Sequence, residues 1–307
     1  MTIQTLSATT ITNNEWGTGG DIKNNRLIYD NIPKSNITNE IIEYAKWGSP
    51  IVKFGNGNGP TVFLDSGVHG SELPSQVAIM KLINYLDKEE EKINGTIYII
   101  PFVAPKMTSE NTRFYNGENL NEIADKNGSV TNNVFLLAKS LNVSALGDYH
   151  CTMPGGEPGR NVIFGTKAPI FKSAEMAMNV GEMAIGGENP YIIYDMAGTE
   201  YPGALEDYCS LNGIPSITCE VMSPHEEIRP GSIDDSYKEM YSFLIYNNLL
   251  NEDNTAETVE DNTAETAENN TVETVELPNS VNLKETGLPL VELFIVLCVA
   301  ILTFTKK

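Results

Sequence analysis

Thr61-Val-Phe-Leu-Asp-Ser-Gly-Val-His-Gly-Ser-Glu72 sets the reading of the whole chain. Its first residues are apolar and largely β-branched, the pattern of a buried strand. Gly67 breaks the run, and His69 and Glu72 follow on the loop that leads into an apolar-periodic segment, Leu73–Leu86. An imidazole and a carboxylate three residues apart on a loop leaving a strand can face one metal ion from the same side. Zinc takes such nitrogen and oxygen ligands at about 2.0–2.2 Å, and catalytic sites leave one position open for water.

Working outward, Gly55-Asn-Gly-Asn-Gly-Pro60 is a turn cluster that places the start of the first core strand at Thr61. Lys23 to Ile51 reads as an irregular lead-in with a short element around Ile41–Trp47. Downstream, Gly95–Val103 is a second buried strand, and Ala104 to Asn132 is polar, turn-rich and long enough to be functional. A short helix over Val134–Leu141 precedes a third strand, Ala145–His150, and the Gly/Pro loop Pro154–Gly159 leads to strand Asn161–Gly165. Helix Ala174–Ile185, strand Tyr191–Tyr194, helix Ala204–Leu211, strand Ser216–Val221 and helix Ile233–Leu250 complete the body. Strands alternating with helices imply an α/β sandwich on a largely parallel sheet, whose sites sit beyond the carboxyl ends of the strands. His69, Glu72, His150 and Glu220 all fall there.

The net charge is −21, and residues 251–276 supply nine acidic side chains and no basic one. An acidic chain excludes nucleic acid as the expected partner, because phosphate contacts need a basic face. The four cysteines show no CxxC spacing, which argues against a disulfide framework. Residues 253–276 repeat an Asp/Asn-Asn-Thr-x-Glu-Thr-x-Glu octapeptide too acidic and too small-chained to bury a core, so 251–286 reads as a disordered linker. Leu288 to Phe304 is apolar apart from Glu292 and Thr303 and is followed by Lys306-Lys307, so 287–307 reads as a transmembrane anchor. The four expected parts are a lead-in (1–50), the α/β body that carries these residues (51–250), the linker and the anchor.

The chain holds three histidines, and His69 and His150 both end predicted strands beside turn-rich loops. Asp148 stands two residues before His150, where its carboxylate can orient the ring. Glu220 sits in Ser216-Ile-Thr-Cys-Glu-Val221, a run otherwise suited to burial. An unpaired buried carboxylate is costly. Near a metal, however, it can take a proton from water and hand it to a leaving group.

Gly59–Glu72, the strand ending in Ile-Pro-Phe-Val-Ala-Pro105, Asp148-Tyr-His150 and Ile217-Thr-Cys-Glu-Val221 occur in an order that resembles the succinylglutamate desuccinylase/aspartoacylase family, relatives of the zinc carboxypeptidases. The resemblance covers roughly Ile51 to Leu250. It implies a three-layer sandwich on a mixed, largely parallel sheet and one zinc ion held by His69, Glu72 and His150. Glu220 would serve as general base and acid. It also implies that Arg113 polarises the scissile carbonyl and that Asn121 takes part in holding a substrate carboxylate. Glu122 departs from the family, which has an arginine there, and a carboxylate repels the carboxylate that the arginine binds. Arg160, after the Gly-rich loop, is the candidate replacement cation. His225, in Ser223-Pro-His-Glu-Glu227, reads as a surface residue able to reach the site.

The expected reaction is amide hydrolysis, with an N-acyl amino acid as substrate. Two alternatives stay open: a surface carboxypeptidase acting on peptides or cell-wall peptides, and a non-catalytic binding module on the same fold. The anchor and linker place the body outside a membrane. With no signal segment visible at residues 1–25, a tail anchor facing the cytoplasm stays open too.

Overall fold

The computed structural model describes residues 9–14, 18–55 and 57–251. Along them run β1 (Thr10–Asn14), α1 (Arg26–Tyr29), α2 (Asn36–Ala45), β2 (Ser49–Gly55), β3 (Thr61–Ser66), α3 (Leu73–Lys88), β4 (Thr96–Ile100) and α4 (Pro105–Glu110). There follow α5 (Val130–Ser140), β5 (Ala145–Thr152), β6 (Val162–Ala168), α6 (Phe171–Ala184), β7 (Tyr191–Met196), α7 (Leu205–Leu211), β8 (Ser216–Met222) and α8 (Ser232–Tyr246). The expected linker and apolar C-terminal helix lie outside the described residues. Among the described residues, no helix is long and apolar enough to cross a membrane.

The strands form one mixed sheet in the order β1-β2-β4-β3-β5-β8-β6-β7. Its centre, β4-β3-β5-β8, is parallel throughout. The chain winds from β3 to β4 on one side and from β5 to β8 and beyond on the other. The carboxyl ends of β3 and β5 therefore flank the point where the winding reverses, the place where open α/β sheets bind their ligands. Register does the rest. Asp65 lies beside Asp148 across β3 and β5, and His150 lies beside Glu220 across β5 and β8.

Period-two alternation divides the sheet's side chains between two cores. Val62, Leu64, Ala145, Tyr149 and Ile217 pack with α2, α3, α6 and α8. Phe63, Ile100 and Leu146 pack on the opposite face with α4, α5 and α7. This is the three-layer arrangement expected from the sequence.

The stretch expected as an irregular lead-in contributes more than that. Ile22, Ile28, Ile37, Ile41 and Ile42 are buried in the first core, and the sheet is extended by β2 pairing antiparallel with β4 and β1 antiparallel with β2. The strand β2 begins at Ser49, so residue 51 falls inside an element rather than at a boundary.

One buried acid has no part in the site. Glu239, on α8, is 1% exposed, and neither of its carboxylate oxygens has a hydrogen-bond partner. Burial, with the charges of Glu220 and Asp235 added, holds its carboxyl well above the ordinary 4.5, so the folded protein keeps its proton to higher pH than the unfolded chain does. As pH rises, the unfolded chain ionises this group first. The stability it contributes is full below the unfolded value and is lost as pH climbs toward the folded one. Glu239→Gln should therefore shrink the fall in melting temperature between about pH 5 and about pH 8 in the metal-free protein. Equal falls in variant and wild type would show that Glu239 is not held neutral.

Candidate metal centre

Gly67 ends β3 in the left-handed region (φ 75°), and its carbonyl accepts from Ala104 N–H at 3.1 Å, fixing the loop against the exit of β4. Gln76, one turn into α3, then pins the loop from below. Its amide donates to the carbonyls of Gly70 (3.2 Å) and Glu72 (2.9 Å), and its own oxygen accepts from Thr108 Oγ1 at 2.6 Å. Gly70 lies so close to α4 that a Cβ there would stand 2.0 Å from the Met107 carbonyl carbon.

This loop brings Glu72 between two imidazoles. Glu72 Oε1 lies 2.7 Å from His69 Nδ1, and Oε2 lies 2.9 Å from His150 Nδ1. Cys151 N–H donates to Oε2 at 2.9 Å, and the Arg113 guanidinium donates to Oε1. All three of His69, Glu72 and His150 are at most 3% exposed, and their candidate ligand atoms lie within 4.8 Å of one another.

The rings are set from behind. His69 Nε2 donates to Asn119 Oδ1 at 2.7 Å, and the same oxygen accepts from Asn121 N–H at 3.1 Å, which fixes the orientation of the Asn119 amide. His69 Nδ1 is left facing a carboxylate oxygen of Glu72 at 2.7 Å. Two imidazole nitrogens and a carboxylate oxygen gathered within 4.8 Å are a donor set zinc accepts. The residues fit a metal ion. His150 Nε2 lies 2.8 Å from Asp148 Oδ1, the carboxylate–histidine arrangement that orients a ligand ring.

Burial disfavours ionised Glu72, but the His69 and His150 charges outweigh it and hold the carboxyl well below the usual range. Glu220 goes the other way. Burial, opposed by His150 and reinforced by Glu72 and Asp148, pushes it up to about 8. Beneath them, fully buried Asp65 is raised well above its ordinary value, first by burial and then by Asp148. Asp148 thus stands between Asp65 on β3 and His150.

The metal group lies on the floor of a cavity of about 600 Å³, whose lining also includes Arg113, Asn121, Glu122 and Glu220. Asn121 Oδ1 accepts from Leu205 N–H at 3.1 Å, tying the wall to the start of α7. Glu122 accepts from Asn119 Nδ2 at 2.8 Å. Arg160 is not brought to the cavity: its guanidinium donates to the carbonyls of Asn161 and Asn189. His225 does reach the site. Its Nε2 donates to the Cys151 carbonyl at 3.1 Å and lies 3.7 Å from Glu72 Oε1. Asn119, Gln76 and Glu206 are the participants that sequence reasoning missed.

Residues 58–139 match the succinylglutamate desuccinylase/aspartoacylase catalytic domain. This is the family whose likeness the motifs carry, and the matched segment holds His69, Glu72 and Arg113. No curated protein matches the chain. Among solved structures, an aspartoacylase family protein from Mesorhizobium loti superposes with a TM-score of 0.53 at 16% identity, over 80% of this chain and 69% of that one. A succinylglutamate desuccinylase from Silicibacter sp. TM1040 gives 0.51 at 16%, over 67% and 63%. A proposed metallopeptidase from Shewanella denitrificans gives 0.53 at 12%, over 80% and 98%. At these identities the likeness is one of fold. The chain spans only 61% and 63% of the length of two of the desuccinylase/aspartoacylase structures.

The contact at Gly70 makes the loop testable. Gly70→Ala forces α4 and the ligand loop apart, which should cost about 1–3 kcal/mol of stability. Displacing His69 and Glu72 should also weaken zinc binding about 10–100-fold. Thermal melts and zinc calorimetry check both. Wild-type affinity in the variant would mean that the loop does not need this packing.

Proposed function

We propose that the chain is a zinc-dependent hydrolase that cleaves an amide bond, acting on N-acyl amino acids. The observation that supports this is the convergence of His69, Glu72 and His150 on the cavity floor, where Glu220 offers a carboxylate oxygen with no hydrogen-bond partner. One zinc ion held by those three side chains would lower the pKa of water toward about 7 and polarise a carbonyl. Asn119 and Asp148 keep the two rings aimed.

Glu220 takes the proton from the attacking water and returns it to the leaving nitrogen. Burial pushes its carboxyl up to about 8 in the metal-free protein, and the charge of a bound zinc ion would lower it toward the neutral range suited to that exchange. Arg113 stabilises the negative charge that grows on the carbonyl oxygen. Asn121 and Glu122 face the substrate from the cavity wall, and Arg160, turned to Asn161 and Asn189, has no part.

A second reading, hydrolysis of peptides, is favoured by the cavity itself: about 600 Å³ is more room than a small acyl amino acid fills. The membrane anchor at 287–307 and the outward-facing body are also our proposal, supported by the apolar run before Lys306-Lys307. Flotation of the expressed chain with lipid vesicles tests the anchor, and recovery in the unbound fraction would remove it.

Glu220→Gln should keep one zinc per chain by calorimetry and lose about 10²–10⁴-fold in kcat. His150→Ala should lose the metal itself. The zinc-loaded protein is assayed on N-acyl amino acids and on peptides with a free C-terminal carboxylate. Cleavage confined to peptides would favour the second reading. Zinc bound with no turnover of either set would leave a binding module on this fold.

A further inference from the structure

The cavity wall beyond the metal group is acidic. Glu122, Glu157, Glu200 and Glu206 line it, and the only lysine or arginine in the lining is Arg113, whose guanidinium is directed at Glu72. Acidic side chains on an acidic protein are no site in themselves, and Glu157 and Glu200 are exposed. Glu206 is different. It is 8% exposed, it belongs to the cavity lining, and its Oε2 has no hydrogen-bond partner. A buried carboxylate oxygen without a donor is a costly vacancy that a ligand's N–H group can fill.

Aromatic rings stand beside it. Phe164, Tyr194 and Tyr201 form a mutual cluster with centroids 5.6–5.8 Å apart. Phe164 and Tyr201 line the main cavity together with Glu200 and Glu206, and Tyr194 lines an adjoining recess that shares those same four residues. Ring faces attract cations and are indifferent to anions, and the attraction grows where water is excluded. Carboxylates and aromatic faces on one wall are the chemistry that holds an ammonium or guanidinium group. Burial, with Asp148 and Asp207 adding to it and Thr218 and His150 opposing it, pushes Glu206 up to about 7.

We propose that this wall, with Glu206 at its base and the Phe164–Tyr194–Tyr201 cluster beside it, binds a cationic group of the substrate. The substrates would then be amides of basic amino acids or amines, or peptides with a basic residue next to the scissile bond. A substrate bearing a second carboxylate is repelled, in keeping with Glu122 standing where the resembling family has an arginine. The inference rests on the hydrolase reading for its choice of substrates, and it is tested by binding as well as by turnover.

The zinc-loaded full chain is assayed on Nα-acetyl-L-lysine, its neutral isostere Nα-acetyl-L-norleucine, and Nα-acetyl-L-aspartate, alongside the dipeptides Ala-Lys, Ala-norleucine and Ala-Asp. Within the series that is turned over, kcat/KM for the lysine compound should exceed that for the norleucine compound by about tenfold or more, mostly through KM. The ratio should fall to near one in Glu206→Gln. Tyr201→Leu should lower it as well, which keeps the test open if Glu206→Gln folds poorly. Equal rates for lysine and norleucine, or preference for aspartate, would overturn the proposal. If none of the six compounds is turned over, the hydrolase reading fails separately. Calorimetry with hexylammonium against hexanol then decides: tighter binding of the cation, lost in Glu206→Gln, upholds the wall, and equal binding removes it.

Discussion

Glu72 places one carboxylate oxygen against each of two buried imidazoles, and the local structure is arranged around keeping it there. A carboxylate that is 3% exposed is tolerable only if its lone pairs are met. The Cys151 N–H, the Arg113 guanidinium and both rings meet them. These four groups come from three segments, so the charge of one side chain fastens the β3 loop, the end of β5 and the loop after α4 together. Glu72 also stands at the first position before α3, where the helix dipole favours negative charge. The Gln76 clamp and the close approach of Gly70 to Met107 hold the backbone in the only place from which Glu72 reaches both rings.

Beneath this point the fold carries a burden of buried acid. Asp65, Asp148, Glu206 and Glu239 are all at most 8% exposed. Those held above their ordinary pKa by burial make the folded state less stable as pH rises toward neutrality, whereas the depressed Glu72 works in the opposite sense. A structure optimised for stability alone would replace several of them with apolar groups of similar volume. Their position explains their presence: three of the four lie on strands or helix starts that face the metal group or its cavity. The register pairing of Asp65 with Asp148 sets a carboxyl raised by burial behind the one that faces His150.

Much of this was legible in the sequence, for identifiable reasons. The central strands are apolar runs bounded by turn clusters, so β3, β4, β5 and β8 could be read directly. The ligands His69, Glu72 and His150 and the acid Glu220 interrupt or end such runs, where polar side chains need a reason to exist. By contrast, β1 is a polar edge strand, and β2 contains Pro50 and Lys53; β2 is a strand because β4 offers a pairing edge and β1 because β2 does, which is tertiary information. Asn119 and Gln76 look like ordinary loop and helix polar residues until the fold sets them behind His69. Glu206, in Ala204-Leu-Glu-Asp207, reads as an acid in a helix's first turn, and only its burial against the cavity distinguishes it. Arg160 shows the converse, since a cation near the site in sequence is drawn off by the backbone carbonyls of Asn161 and Asn189.

Chemistry and selectivity therefore come from parts of the fold under different physical control. The floor is built by strand register and one pinned loop, so His150, Glu220 and Asp148 cannot move without shifting the sheet itself. The wall is built from the segments that follow α4, β5 and β7, where a substitution changes charge without disturbing the register. An arginine there makes the cavity a receptor for carboxylates, and a glutamate makes it hostile to them, over the same metal-binding floor. Long-range Coulomb interaction links the two parts, because a cation bound at Glu206 lowers the negative potential that Asp148 and Glu220 experience. On the proposed reading, the buried Glu206, whose raised carboxyl opposes stability as pH rises in the empty protein, becomes favourable once a positive group enters. Selectivity is then stored in the fold as unfavourable electrostatics that only a substrate of the right charge relieves.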